Sequence, residues 1–347
     1  MQLFRHGTIL IVAFLCLSAI AAKPAGQERA EVNLLVVGDT AGDTPERASV
    51  TAALTRYVSD SGEHFNAAVM LGDTFTMTLH GPNDPIFSRL FEQAYDPAKL
   101  NFPFYMAFGN HDYERGKSPI ELAYAAQHPM SRWKMPSNYY RVDLPAEHPM
   151  VTLLVLDSDR QALDDAQWQT EIDWLQRELD KPHAAWLVCC GHHPFFSNGA
   201  HGDNGVLQTQ WGPIFRSHHV DFYMSGHDHT MQHLEIPGWP ISFVVSGGGG
   251  GGRRQMLRDN RGPFSRSTLG FAHFEFRQDV ATVKLMDGQG QLIHEFTRTH
   301  DGQIHVIENT PSDKATTHPL RTIVGLPDWG PKPATRPTVT TRPAPAK

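Results

Sequence analysis

The chain repeats one local design five times: an apolar run, a glycine, then a residue able to bind a cation. The endings are "VVGDTAG", "MLGDTFT", "AFGNHDY", "CCGHHPF" and "MSGHDHT". Short, β-branched, glycine-bounded runs read as buried strands, here "VNLLVVG" (32–38), "AAVMLG" (67–72), "PFYMAFG" (103–109), "AAWLVCCG" and "VDFYMSG". "YYRVDL" and "MVTLLVLDS" read the same way. Helical spacing falls between strands, at 46–59, 84–95, 164–179 and near 207–217. The 164–179 segment is the clearest amphipathic helix. Trp168, Ile172, Leu175 and Leu179 share one face, and Asp164 suits its N-cap.

Strands alternating with helices predict an α/β architecture with much parallel pairing. Ligands of such sheets bind beyond the carboxyl ends of the strands. The five polar endings are therefore expected on one edge, where glycine permits a sharp turn and leaves room for metal and substrate. From residue 241 onward, "ISFVVSG", "FAHFEF", "VATVKLM" and "QLIHEFTR" are expected to form a mixed or antiparallel closing sheet. Six consecutive glycines at 247–252 read as a flexible loop near the site.

The ends have a different character. "MQLFRHG" followed by the 13-residue apolar run "TILIVAFLCLSAI" and the small-x-small "AIA" predicts a signal peptide, residues 1–21. The run is short of the roughly 20 residues that span a bilayer. The expected location is secreted or periplasmic, with no membrane contact after cleavage. A catalytic domain is expected over 30–308, followed by a Pro/Thr-rich tail, 309–347, of disordered composition. Beyond the signal, the only cysteines are Cys189 and Cys190, adjacent in one strand. They are expected as two buried thiols rather than a strained vicinal disulfide. A net charge of −7 without a basic run argues against nucleic acid as a stable partner. A small anionic substrate stays compatible, because a metal site can outweigh the surface charge locally.

The residue types at the strand ends fit a two-metal centre, since carboxylate, amide oxygen and imidazole suit the same divalent or trivalent ions. Asp39 and Asp73 contribute two negative charges, whereas Asn110, His192, His227 and His229 are neutral ligands. Two ions leave such a site positive, ready for hydroxide and an anionic phosphoester. Water on such ions becomes acidic enough to supply a hydroxide nucleophile.

These ordered motifs resemble the calcineurin-like metallophosphoesterase superfamily, and within it the small purple acid phosphatases of the tartrate-resistant type. The likeness runs from Asn33 to Gly247 and includes "TPERASV" and the "GHHPFFSNGAHG" loop. It implies a four-layer αββα sandwich with mixed sheets. It implies that Asp39, Asp73 and His229 hold one metal, that Asn110, His192 and His227 hold the second, and that Asp73 bridges. It also implies that His111 contacts the phosphate and stabilises or protonates the leaving group, with Asp112 orienting its ring, and that His201 is a second substrate-side histidine. The ions would be two of Fe, Zn or Mn.

One position departs from the pattern. The purple enzymes carry Gly-Asp-x-x-Tyr, where this chain reads Gly72-Asp73-Thr74-Phe75-Thr76. Threonine supplies no tyrosinate for ferric iron. The expectation is a colourless enzyme holding Zn, Mn, Fe(II) or a mixture, with a pH optimum nearer neutral. His80 is the nearest replacement ligand in sequence. The resulting reading is an exported phosphatase of small phosphomonoesters. A phosphodiesterase or nucleotidase on the same metal core is the alternative, with the loops at 74–86, 112–137 and 194–206 deciding. A non-catalytic metal- or phosphate-binding protein is the alternative from another class.

Overall fold

The structure, a computed structural model, describes residues 31–258 and 261–309. The expected signal peptide (1–21) and nearly all of the Pro/Thr-rich tail lie outside the described residues. The strands are β1 (Val32–Val37), β2 (Ala67–Met70), β3 (Phe104–Met106), β4 (Trp133–Lys134), β5 (Tyr140–Leu144), β6 (Val151–Val155), β7 (Trp186–Cys190), β8 (Phe222–Ser225), β9 (Met231–Glu235), β10 (Ser242–Ser246), β11 (Phe264–Arg266), β12 (Gly270–Phe276), β13 (Val280–Asp287), β14 (Leu292–Thr299) and β15 (Ile304–Asn309). One sheet runs β15-β14-β13-β12-β1-β2-β3-β4 and the other β11-β9-β10-β8-β7-β6-β5.

Period-two alternation places the inner strands between two layers. In β1, Val32, Leu34 and Val36 face the core between the sheets, where they join Val151, Leu153, Val155, Val188 and Met224 of the second sheet. Leu35 and Val37 face outward, onto Val50, Ala53 and Leu54 of helix α1 (Pro45–Ser61). The second sheet packs its other face, through Leu154, Leu187 and Cys189, on Trp168, Leu175 and Leu179 of a later helix, Asp165–Leu179. The result is helix, sheet, sheet, helix, a mixed α/β sandwich. Cys189 and Cys190 are free, buried thiols on opposite faces of β7.

Local chemistry explains the helix ends. The Thr44 side chain caps α1 by accepting from Arg47 N at 3.1 Å, with Pro45 as the first helical residue. Asp164 accepts from Gln167 N at 2.8 Å, and Gln167 returns the bond to Asp164 N at 2.9 Å. The helix that begins there buries Glu171 as well as its apolar stripe, which hydrophobic periodicity does not reveal. The expected helix at 84–95 is a short turn, Pro85–Phe87, that widens into a π-helix over Ser88–Glu92.

The expected closing sheet does not form as a unit. β10 joins the second sheet parallel to β8, and β12 to β15 extend the first sheet as an antiparallel run beyond β1. The two sheets are stitched at the carboxyl rim. Gly38 N donates to Ser246 O at 2.8 Å, and Ser246 Oγ donates to Val36 O at 2.8 Å. This brings the end of β1 against the end of β10, a contact between residues about two hundred positions apart.

Candidate metal centre and active site

The ends of β1, β2, β3, β7 and β8 meet at that rim. Three of the residues they deliver adopt left-handed backbone: Asp39 (φ 58°), Asp73 (φ 52°) and His227 (φ 65°). Non-glycine residues pay a steric cost there, and such strain gathers at functional sites. Gly226 precedes His227 for reasons of space. A Cβ at that position would stand 2.6 Å from Asp39 Oδ2, the oxygen that accepts from His227 N at 2.8 Å.

The six expected ligands are brought together. His192 Nε2 lies 3.3 Å from Asp73 Oδ2 and 3.0 Å from Asn110 Oδ1. His227 Nδ1 lies 3.0 Å from Asn110 Oδ1 and 3.1 Å from His192 Nε2. His229 Nε2 is 3.4 Å from Asp39 Oδ1. Ligand atoms of Asp39, Asp73 and His192 all fall within 4.8 Å of one another. His192 Nδ1 faces Leu71 O at 2.7 Å, so the carbonyl accepts the N–H there and Nε2 is the nitrogen that faces the cluster.

This donor set fits a cation. Asp39 Oδ1 is buried and accepts no hydrogen bond. Burial pushes the Asp39 carboxyl up, opposed by the nearby His229 and His192. Burial would also raise Asp73, but His192 and His111 outweigh it and hold that carboxyl well below the usual range. His192, which burial alone would lower, is lifted to about 10 by Asp73. Burial and the neighbouring His192 push His227 far down. Acceptor oxygens and ring nitrogens crowded at 3.0–3.3 Å, beside a buried carboxylate oxygen that accepts no hydrogen bond, are the surroundings a metal ion neutralises.

Asp112 does not orient the His111 ring. Its two oxygens accept from backbone instead: Gly109 N at 2.8 Å, Asp73 N at 2.8 Å and Thr74 N at 3.2 Å. Asp112 is buried, and its place at the third position of the short helix Asn110–Tyr113 turns it inward, under the Asp73 loop. The partner of His111 Nδ1 is Glu114, at 2.8 Å on a half-exposed flank. His111 Nε2 lies 4.0 Å from Asp73 Oδ2. His201 stands over His227, with ring centroids 4.1 Å apart. Asp228, between the two histidines of "HDH", points away from the cluster. It accepts from Ser197 Oγ and, at 3.1 Å, from His201 N, so it fixes the loop that carries His201.

Two buried cations grip the same loops, and neither was legible in the sequence. Arg47, 2% exposed, donates through Nη1 to Gly42 O and Thr74 O, both at 3.2 Å, and through Nη2 to Leu90 O. Lys117, fully buried, donates to Phe75 O. His193 is a third residue that the sequence reading left unassigned, although the His-His doublet signalled it. Its ring is 4.4 Å from that of His227, and its Nδ1 lies 3.1 Å from Ser158 Oγ. His80 has no described contact with the cluster; its backbone N–H donates to Asp84 at 2.8 Å.

The six glycines are not a flexible tether. Residues 247–250 are buried, and the segment is bonded along its length: Gly247 N to Thr230 O at 3.0 Å, Gly249 N to Gly38 O at 3.0 Å, Gly251 N to Asp39 O at 2.7 Å. At Gly250 (φ 120°) a Cβ would stand 2.4 Å from the Arg47 Cα. The run is smooth because the metal loops and the start of α1 leave no width for side chains.

Two clefts flank the cluster. One, about 400 Å³, is lined by Asn110, Asp159, His193, His201 and His227 among others. The other, about 750 Å³, is lined by Asp73, Thr76, His111, His229 and the residues 250–254.

A family model described as calcineurin-like phosphoesterase matches residues 32–231. Mouse tartrate-resistant acid phosphatase type 5 is 26% identical over 293 residues, 75% of this chain and 88% of that protein. Among solved structures, GAP50, the anchor in the inner membrane complex of Plasmodium, matches with a TM-score of 0.67 at 19% identity, covering 82% of this chain and 90% of that one. Purple acid phosphatase PPD1 from yellow lupin (Lupinus luteus) matches with a TM-score of 0.60 at 16% identity, covering 78% of this chain and 54% of that one.

Proposed function

Because the chain belongs to the calcineurin-like phosphoesterase family and is a metal-dependent phosphoric ester hydrolase, we propose that it is an exported phosphatase cleaving small phosphomonoesters at a pair of metal ions. The observation that carries this reading is the continuous contact among Asp73, His192, Asn110 and His227, at 3.0–3.3 Å, beside the buried Asp39 oxygen that accepts no hydrogen bond. Asp39, Asp73 and His229 would hold one ion and Asn110, His192 and His227 the other, with Asp73 shared. When bound, the ions supply acidified water and a positive seat for phosphoryl oxygens.

The chain's own groups account for the rest. Glu114 engages His111 Nδ1, which leaves Nε2 to face the larger cleft, where the imidazolium form of the ring would give its Nε2 proton to the departing oxygen. His201, exposed above His227, is suited to donate to a phosphoryl oxygen. Asp112 serves by holding the Asp73 loop. Thr76 lines the larger cleft where the purple enzymes carry tyrosine, so the protein is expected to be colourless, with Zn, Mn or Fe(II) and a near-neutral optimum. Among the described residues no helix is long and apolar enough to cross a membrane; export itself rests on the leader-like amino terminus.

Metal analysis of protein purified without added metal, alongside turnover of a phosphomonoester and a bis-ester, tests the reading. About two ions per chain and faster monoester turnover are expected. Faster bis-ester turnover would move the protein to the phosphodiesterases, and a visible metal–phenolate band would overturn the account of Thr76. Protein that stays inert towards both esters after loading with Zn, Mn or Fe(II) would remove the proposal.

A further inference from the structure

We propose that Arg253 and Arg254 form a second anion-binding subsite, so that preferred substrates carry another negative group close to the scissile phosphate. This deepens the phosphatase reading and rests on it. Both arginines line the larger cleft together with His111, His229 and Asp73. They follow directly on the buried glycine run, whose Gly251 N donates to Asp39 O at 2.7 Å. Arg254 is tied down further: its N–H donates to His229 O at 3.3 Å, and its carbonyl accepts from Ser267 Oγ at 2.6 Å. The backbone of the pair is thereby registered on the candidate metal ligands, while both residues are exposed to solvent.

Their guanidinium groups have no assigned work. Among the described residues, neither makes a side-chain hydrogen bond or an ion pair. The acids around the same cleft are otherwise engaged. Asp287 accepts from Gln289 N and Gln291 N, each at 2.9 Å. Glu46 lies in the first turn of α1, where a carboxylate is favoured by the helix dipole. Asp43, nearby, is paired with Arg89. The smaller cleft offers no equivalent. No Lys or Arg lines it, and its Asp203 is paired with Arg261 at 2.8 Å. A substrate with two anionic groups is therefore drawn to one side of the metal cluster, its phosphate at the ligands and its second group on the arginine pair. A guanidinium fork matches carboxylate and phosphate equally well. The exposure of the pair makes the attraction sensitive to salt.

The test compares phenyl phosphate with carboxyphenyl phosphates bearing the carboxylate at the ortho, meta or para position. The readout is the ratio of kcat/KM values for carboxylated and plain substrate. The native protein is expected to favour at least one carboxylated isomer. In the double variant Arg253→Ala, Arg254→Ala that ratio falls by about tenfold, and in the native protein it shrinks as ionic strength rises. Arg253→Lys, Arg254→Lys retains part of it. A ratio unchanged by the alanine pair overturns the subsite. A binding arm decides independently of turnover: calorimetry of the metal-loaded protein with phenylphosphonate and the matching carboxyphenylphosphonates. Tighter binding of a carboxylated phosphonate, lost in the double variant, supports the subsite even if no ester is cleaved, in which case the phosphatase reading alone fails. Equal binding of the plain and carboxylated phosphonates refutes the subsite.

Discussion

The backbone N–H of Asp73 donates to a carboxylate oxygen of Asp112 at 2.8 Å. Through this bond the aspartate beside His111 acts on the metal loop rather than on the histidine. Burial first, and the charge of Asp73 second, push the Asp112 carboxyl up to about 6, against the opposing bond from Gly109 N. Asp112→Asn turns an NH₂ towards backbone donors and should cost on the order of 1–3 kcal/mol of stability, with weaker metal retention. Denaturant midpoints and competition with a chromophoric chelator measure both. Glu114→Gln should leave metal retention alone and lower kcat only, by less than the roughly 10²–10⁴ expected for His111→Ala.

Arg47 makes a second prediction. A buried guanidinium that donates to three carbonyls carries a desolvation cost, which those bonds must offset. Arg47→Met leaves Gly42 O and Thr74 O without that donor and is expected to lower stability by about 2 kcal/mol or more. Metal retention should fall with it, because both carbonyls lie in loops that carry candidate ligands. Arg47→Lys, with one compact charge, should recover only part of each effect. Equal stability of native protein and Arg47→Met in urea would contradict the clamp.

The glycine run gives a third. Gly250→Ala sets a methyl against the Arg47 backbone at a positive φ and should destabilise by about 2 kcal/mol or more. Gly81→Ala serves as the control, since its φ of 141° is also unusual but no heavy atom lies within 4 Å of the added carbon. It should cost less. A flexible tether would tolerate both changes alike, so comparing the two unfolding midpoints decides the matter.

A buried pair of acids behind the site supplies a pH test. Asp157 N donates to Glu171 Oε1 at 2.8 Å, and the Tyr113 hydroxyl donates to Asp157 Oδ2. Burial, with a smaller push from Asp159, raises the Asp157 carboxyl from 3.8 to about 6 despite the bond from Tyr113. The folded state therefore holds this proton longer than the unfolded chain does. Its contribution to stability is greatest below the unfolded value and declines as pH rises from about 4 to about 6. Asp157→Asn cannot ionise. Relative to the native protein it should gain on the order of 1 kcal/mol or more between about pH 4 and about pH 7. Chemical denaturation of both proteins at the two pH values reads this double difference, and a flat difference would remove the protonated acid.

Most of the strands, and the convergence of the six candidate ligands, were legible because their signals are local. Alternation, β-branching and a closing glycine act within a few residues, and parallel strands necessarily deliver their endings to one rim. The failures were long-range. β4, β9, β11 and β15 went unseen, and β10 was assigned to the wrong sheet because pairing partners are not written in a strand's own pattern. Glu171 broke the expected apolar face because its partner is a backbone N–H fourteen residues away.

Sequence alone therefore determined which groups can bind cations and that they arrive together. Only the tertiary structure decided what surrounds them: that Asp112 serves the Asp73 loop, that Glu114 takes the His111 ring, that Arg47 and Lys117 tie down carbonyls, and that six glycines form a packed seam. The physical reason is that a side chain's chemistry is intrinsic, whereas its partner is chosen by the stacking of two sheets, which sets residues such as Gly38 and Ser246 2.8 Å apart with no local trace of the meeting.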